Sequence, residues 1–269
     1  MNHDGNILLV GCGNMGQALV KGWLAEGCEP GQIQAVDPNA EAASAARALG
    51  VRVVTSLSEA RMPVDVVILA VKPQQLDSVL PEYREVAATG TVFLSIAAGK
   101  PIAFYERALG GGAAIVRGMP NTPAAIRQGM TVLSANHVVT ASQRDQCQTL
   151  MAAVGDVAWL ADEQLMNAVT AISGSGPAYV FLLIECLTEA AVRVGLEKNL
   201  ARQLAEKTVA GAGAYVLSSD QESDELRRRV TSPGGTTEAA LEVLMGTEAL
   251  PALLVQAVQA ATERGGELA

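Results

Sequence analysis

The groups in this chain best placed to do chemistry are glycine amides, hydroxyls and single carboxylates. Gly11-Cys12-Gly13-Asn14-Met15-Gly16 stands directly after an apolar run, residues 6–10, and directly before a helical pattern. In that setting G-x-G-x-x-G is a diphosphate cradle. The first glycine makes a tight turn, the second lets backbone approach the pyrophosphate, and the third lets helix pack on strand. Exposed amides at the helix start, with the helix dipole behind them, then hold the anion. Asp37 ends the next apolar run, 21 residues beyond Gly16. A carboxylate there accepts hydrogen bonds from the adenosine ribose hydroxyls and repels a 2′-phosphate. No Arg or Lys adjoins it, which by itself favours NADH over NADPH. The plain alternative is that Asp37 only opens the Asp37-Pro38-Asn39 turn.

Three further strand ends carry candidate contacts. Ala70-Val71-Lys72-Pro73 closes the fourth run, and Pro73 suits the first turn of a helix, so that backbone faces the cofactor ribose. Lys72 reads either as part of this contact or as a solvated surface lysine. Ser95-Ile96-Ala97-Ala98-Gly99 closes the fifth, with small residues where a flat ring must come close. Met119-Pro120-Asn121-Thr122-Pro123 closes the sixth, its two prolines fixing a loop. The second half has two glycine-rich breaks, Ser173-Gly174-Ser175-Gly176-Pro177 and Thr231-Ser232-Pro233-Gly234-Gly235-Thr236-Thr237, each just before a helical pattern. Both place unpaired amides at a helix start, a ready carboxylate or phosphate site, and an ordinary N-cap needs only one hydroxyl.

The elements that must position these groups follow from hydrophobic periodicity. Short β-branched runs at 6–10, 33–36, 51–54, 64–69, 92–95 and 114–118 alternate with helical stretches at 15–26, 40–49, 74–79 and 101–109, the pattern of a parallel sheet covered on both faces. Two more strands, 130–133 and 157–160, flank a helix at 141–152. After Asp162 the strand signal stops, and Ala, Leu, Glu and Arg recur at helical spacing. The expected fold is α/β, a Rossmann-type doubly wound sheet over 1–162 followed by an all-helical domain over 163–269. Its helices fall at 177–194, 197–217, 223–230, 235–244 and 250–264, the second weakened by Gly211 and Gly213. Val180, Phe181, Leu182, Leu183, Ile184 and Leu187 surround their helix instead of striping it, so a second copy of the chain is expected to cover them.

Composition excludes several classes. Of 269 residues 49% are apolar, so disorder is excluded, and the net charge of −9 opposes binding to nucleic acid or anionic lipid. The first 162 residues hold 11 basic against 14 acidic side chains, the remainder 8 against 14. No 18 uninterrupted apolar residues occur, so no membrane span is expected. The start lacks a basic leader pattern, and a cytoplasmic location is expected. The four cysteines have no metal or redox spacing, and His3 and His137 are the only imidazoles. A Ser-His-Asp triad and a histidine metal cluster are thereby disfavoured, and no metal is expected.

Taken in order and spacing, the glycine loop and the segments at 70–73, 119–123, 173–177 and 231–237 make the chain similar to pyrroline-5-carboxylate reductases along nearly its whole length. The most specific segment is VTSPGGTTEAALEVL, residues 230–244. The resemblance implies a Rossmann domain, a helical dimerisation domain and reduction of 1-pyrroline-5-carboxylate to L-proline by NADPH or NADH, the last step of proline synthesis. It further implies that Ser232 and amides around Gly234, Gly235 and Thr236 hold the substrate carboxylate. The Thr237 hydroxyl then hydrogen-bonds the ring nitrogen as a positioning donor and proton relay, and Glu163 matches an acidic position near the site. A homodimer is implied, one subunit's helical half completing its partner's site, with assembly beyond the dimer left open. Members commonly use NADPH, against the lean given by Asp37. Arg227, Arg228 and Arg229 have no functional reading. The rivals are a hydroxyacid dehydrogenase or imine reductase of like architecture, and a nucleotide-sensing protein without catalysis. Lys198 and Lys207 lack the glycine-flanked setting of a hydroxyacid dehydrogenase lysine.

Overall fold

The structure, a computed structural model, describes residues 5–268; His3 lies outside them. It divides into two compact units, residues up to 174 together with 261 onward, and residues 175–260.

The first unit is built on an eight-stranded sheet ordered β3-β2-β1-β4-β5-β6-β7-β8. Its strands are β1 (Ile7–Val10), β2 (Ile33–Val36), β3 (Arg52–Val54), β4 (Val66–Leu69), β5 (Val92–Ser95), β6 (Ala114–Met119), β7 (Gly129–Ala135) and β8 (Gly155–Trp159). All neighbours pair in parallel except β6 with β7. Because side chains alternate along a strand, β1 sends Ile7 and Leu9 to one core and Leu8 and Val10 to the other. The first core is closed by α1 (Asn14–Ala25), α2 (Ala40–Arg47) and α6 (Ala141–Ala152), through residues such as Trp23, Ala43 and Leu150. The second is closed by the single turns α3 (Leu76–Val79) and α4 (Arg84–Ala87) and by α5 (Ile102–Leu109), with Tyr83 and Tyr105 fully buried. Covering on both faces is why the strands read as continuous apolar runs. Strand order switches between β1 and β4, successive strands being added to one side of β1 and then to the other, so the crevice at their C-terminal ends is the natural ligand position.

Beyond β8 the chain makes the short helix α7 (Met166–Val169) and a π-helical turn, Thr170–Gly174. Met166 and Ala171 are buried, so this stretch packs with the first unit although its composition is that of the second. The compositional change at 162–163 and the packing change at 174–175 therefore differ, because the first follows strand propensity and the second follows burial.

The second unit is helical: α8 (Gly176–Arg193), α9 (Lys198–Leu217), α10 (Ser223–Arg229), α11 (Thr236–Leu244) and the start of α12 (Leu250–Glu267), whose end belongs to the first unit. α8 and α9 form an antiparallel hairpin, and α9 runs unbroken through Gly211 and Gly213. α8 buries none of its residues within the chain; Phe181 is 57% exposed and Leu182 58%. The segment Glu163–Arg193 is long and apolar enough, by length and composition alone, to cross a membrane. The expectation of no span rested on uninterrupted runs, and this segment meets the looser criterion of mean hydropathy.

Candidate functional site

The glycine loop is fixed from both sides of the crevice. The Gly11 amide donates to Val36 O at 2.9 Å, which ties the loop to the end of β2. Gly11 has φ +99°, and a Cβ there would stand 2.9 Å from the Ala70 carbonyl and 3.0 Å from Val71 Cγ1. A Cβ on Gly16 would meet Gly11 O at 2.3 Å, whereas one on Gly13 meets nothing within 4 Å. Two glycines thus allow packing and the third leaves open space above the loop. Gln17 N is the first amide of α1 with an acceptor, Gly13 O at 2.9 Å, and no side chain caps the helix. The amides of Asn14, Met15 and Gly16 have no acceptor among the described residues. Open space over unspent amides at a helix start fits a diphosphate.

Asp37 is 9% exposed. Its Oδ2 accepts from Cys12 N at 2.7 Å and its Oδ1 from Asn39 N at 2.8 Å. The carboxylate therefore braces the glycine loop and also forms the turn into α2. Each oxygen keeps a second lone pair for a ribose hydroxyl. Burial, reinforced by Asp37, pushes the Cys12 thiol up to about 12, so Cys12 is a neutral packing group inside the loop.

The neighbouring strand ends are braced in the same way. Ala70 N donates to Val10 O at 2.8 Å and Ile96 N to Leu69 O at 3.0 Å. Lys72 is exposed and precedes a short turn begun by Pro73. Ser95 Oγ and Tyr105 Oη lie 2.6 Å apart, and Ala97 N donates to Ser95 Oγ at 3.3 Å. Ala97 is buried beneath exposed Ala98. Gly11 to Gly16, Asp37, Ala70 to Pro73, Ala97 and Ala98 are thus brought to one edge of one sheet. A surface cavity of about 540 Å³ lies at the opposite edge, beside Gln34, Arg52 and Arg61, away from all of them.

Arg117 is a residue that sequence reasoning passed over. It sits inside β6 at 5% exposure and donates to Glu163 Oε1 at 2.8 Å, and the Ile102 amide at the start of α5 donates to the same oxygen at 2.8 Å. Glu163 joins β6 to α5, with only Oε2 left for another partner. The available signal was a charge in the middle of an apolar strand, a position that requires a partner.

In the second unit, the 231–237 loop leads into α11, with Gly235 as N-cap. Gly235 N donates to Ser232 O at 3.0 Å and Gly234 N to Glu238 Oε2 at 2.6 Å. Those two amides are spent within the loop. The amides of Thr236 and Thr237 have no acceptor among the described residues, so of the expected donors Thr236 keeps its amide, Gly234 and Gly235 do not, and Thr237 adds one. Ser232 is exposed and Thr237 half-buried. Arg228 pairs with Asp224 and Glu225, and Arg229 with Glu225, so two of the three arginines stabilise α10 itself.

Comparison with known proteins agrees with this arrangement. The family model for pyrroline-5-carboxylate reductase dimerisation matches residues 163–268, and one for NADP oxidoreductase, coenzyme F420-dependent, matches residues 6–99. The pyrroline-5-carboxylate reductase of Pseudomonas aeruginosa is 46% identical over 98% of this chain and 96% of its own. That of Pasteurella multocida is 36% identical, over 98% and 97%. Among solved structures, the Coxiella burnetii enzyme superposes with TM-score 0.95 at 39% identity, covering 99% of each chain. The Plasmodium falciparum enzyme, solved with NADP bound, gives 0.85 at 28%, covering 98% of each. A diphosphate cradle on a doubly wound sheet, a helical unit with an uncovered apolar helix and this degree of likeness over the whole length lead to one conclusion: the chain belongs to the pyrroline-5-carboxylate reductase family.

Proposed function

We propose that the chain reduces 1-pyrroline-5-carboxylate to L-proline with the substrate carboxylate held at the start of α11 and with NADH as the preferred hydride donor. The observation that carries this reading is the pair of unspent amides at Thr236 and Thr237, next to the Ser232 and Thr237 hydroxyls, in a loop whose Thr231, Gly234 and Gly235 amides are already committed. A carboxylate of the size carried by a five-membered ring satisfies those donors together with the Ser232 hydroxyl. Gly234 and Gly235 shape the loop and Thr236 contributes its amide. Glu163 acts as the counter-ion of Arg117, and its Oε2 is the only atom through which it can reach substrate.

When bound, the nicotinamide supplies a hydride to the imine carbon. The protein's part is placement and electrostatics. The Thr237 hydroxyl, expected as a donor, here accepts a hydrogen bond from the N–H of the protonated imine, which has no lone pair of its own to offer, and so fixes the ring's rotation and holds the proton on nitrogen as the neighbouring carbon is reduced. A protonated imine is already electrophilic, so the reaction asks for no strong base from the chain.

NADH preference is supported by Asp37, whose carboxylate lies where a 2′-phosphate would approach and cannot leave without unpairing two amides. Partner subunits cover α8 in this reading, which the dimerisation match over 163–268 supports in preference to lipid. The functional division stays at 162–163, the location is the cytoplasm, and dimers are free to assemble further. Oxidation of NADH and NADPH by the purified protein with pyrroline-5-carboxylate tests the proposal, and a 3-hydroxyacid serves as the competing substrate. Thr237→Ala lowers kcat at least about tenfold, about 1.4 kcal/mol in the transition state. An unchanged kcat and kcat/KM removes Thr237 from the mechanism.

A further inference from the structure

The Met119–Pro123 segment and the π-helical turn meet within the first unit. A Cβ on Gly174 would stand 2.4 Å from Met119 Cε, so the turn lies directly on the loop. Asn121 spans the two: its Oδ1 accepts from Met130 N at 2.9 Å and its Nδ2 donates to Ser173 Oγ at 3.3 Å. The orientation of this amide is not arbitrary. Met130 N can only donate, so the amide oxygen must face it and the NH2 must face Ser173. Ser173 Oγ therefore receives a hydrogen bond, and its own proton must go elsewhere.

Two helical hydroxyls near it in type, Thr170 and Thr188, spend that proton on a carbonyl one turn back, Met166 O and Ile184 O, both at 2.8 Å. Ser173 makes no such bond and has no acceptor among the described residues. It is half-buried, in a π-helical turn of the kind that recurs at functional sites. Its neighbours are the end of β6 and the loop after it, through the Met119 contact at Gly174 and the Asn121 hydrogen bond, and the end of β5 is paired beside β6. This is the sheet edge at which the reading above seats the flat ring.

We infer that Ser173 donates its proton to a ligand oxygen of the carboxamide or carboxylate class, and that Asn121 is the positioning residue that turns the hydroxyl outward. The inference rests on the proposed seating of the coenzyme. The two sources of such an oxygen are the nicotinamide carboxamide and the substrate carboxylate.

Three variants test it. Ser173→Ala removes the donor. Asn121→Asp keeps the tether to Met130 but accepts the Ser173 proton, reversing the hydroxyl. Ser173→Thr keeps the hydroxyl. The first two are expected to lower kcat/KM about tenfold with melting temperature within about 2 °C of wild type, and the third to stay within about threefold of wild type. Binding by calorimetry separates the sources. Weaker NAD⁺ with unchanged ADP-ribose assigns the carboxamide; weaker L-proline with unchanged NAD⁺ assigns the carboxylate; either result supports the inference. Ser173→Ala with wild-type kinetics and wild-type binding of NAD⁺ and L-proline overturns it. So does Asn121→Asp behaving as wild type while Ser173→Ala is impaired, since the tether alone would then matter. A wild-type protein that fails to reduce pyrroline-5-carboxylate refutes the proposed function, while the NAD⁺ and ADP-ribose comparison still decides the role of Ser173.

Discussion

Gly13→Ala separates a cradle for a ligand from a turn that merely folds. Gly13 has φ −65° and ψ −171°, a conformation alanine adopts without strain, and its added methyl meets no protein atom within 4 Å. Loss of unfolded-state freedom favours alanine by about 0.4–1 kcal/mol, and alanine is a poorer N-cap than glycine by a similar amount. Stability is therefore expected to change by less than about 1 kcal/mol, a shift of at most about 4 °C in melting temperature. The methyl enters open space at the loop, and with the diphosphate seated on the Asn14, Met15 and Gly16 amides as read above, pushing it off those donors costs at least one charge-assisted hydrogen bond, about 1.5–3 kcal/mol. NADH affinity falls about tenfold or more. Gly16→Ala is the control, since its methyl stands 2.3 Å from Gly11 O and something in the backbone must move. That variant loses stability by about 1–3 kcal/mol or more. Thermal unfolding with and without NADH, and calorimetric titration of each folded variant, read both effects. Normal NADH affinity in Gly13→Ala would refute the assignment of this loop as the diphosphate site.

Other perturbations reach other parts of the structure. Asp37→Ala strands the Cys12 and Asn39 amides, so affinity for both coenzymes falls, while the NADPH to NADH ratio of kcat/KM rises as charge repulsion is relieved; a constant ratio would show that Asp37 does not touch the ribose. Arg117→Met leaves Glu163, whose side chain is 26% exposed, without its partner. The expected loss is about 3 kcal/mol, and adding Glu163→Gln recovers at least half of it; a single-variant loss under 1 kcal/mol would mean the pair does not hold β6 to α5. Burial pushes the Cys147 thiol from its ordinary 9.0 up to about 12. The unfolded chain then releases this proton first, so stability is full below pH 9 and declines as pH rises from 9 toward 12. Cys147→Val should flatten the alkaline fall in melting temperature, and alkylation of native protein at pH 8 should spare Cys12 and Cys147. Rapid labelling of either would contradict their burial.

The amino-acid sequence alone determined the repeating strand and helix pattern, the glycine loop and the loops that close each strand, because these depend on local periodicity and backbone freedom. It also marked α8 as a helix that needs a partner, since apolar side chains all around a helix cannot be solvated. Only the tertiary structure decided how those features are used. Both oxygens of Asp37 are occupied by amides from segments 25 and 2 residues away. The cation inside β6 is matched by a carboxylate 46 residues later. The proton of Ser173 is turned outward by an amide whose own orientation is set by Met130. Apart from the Asn39 amide, each of these is a pairing between distant segments, and hydrogen-bond saturation leaves no trace in composition or spacing; it exists only once the fold has brought the partners within hydrogen-bonding distance.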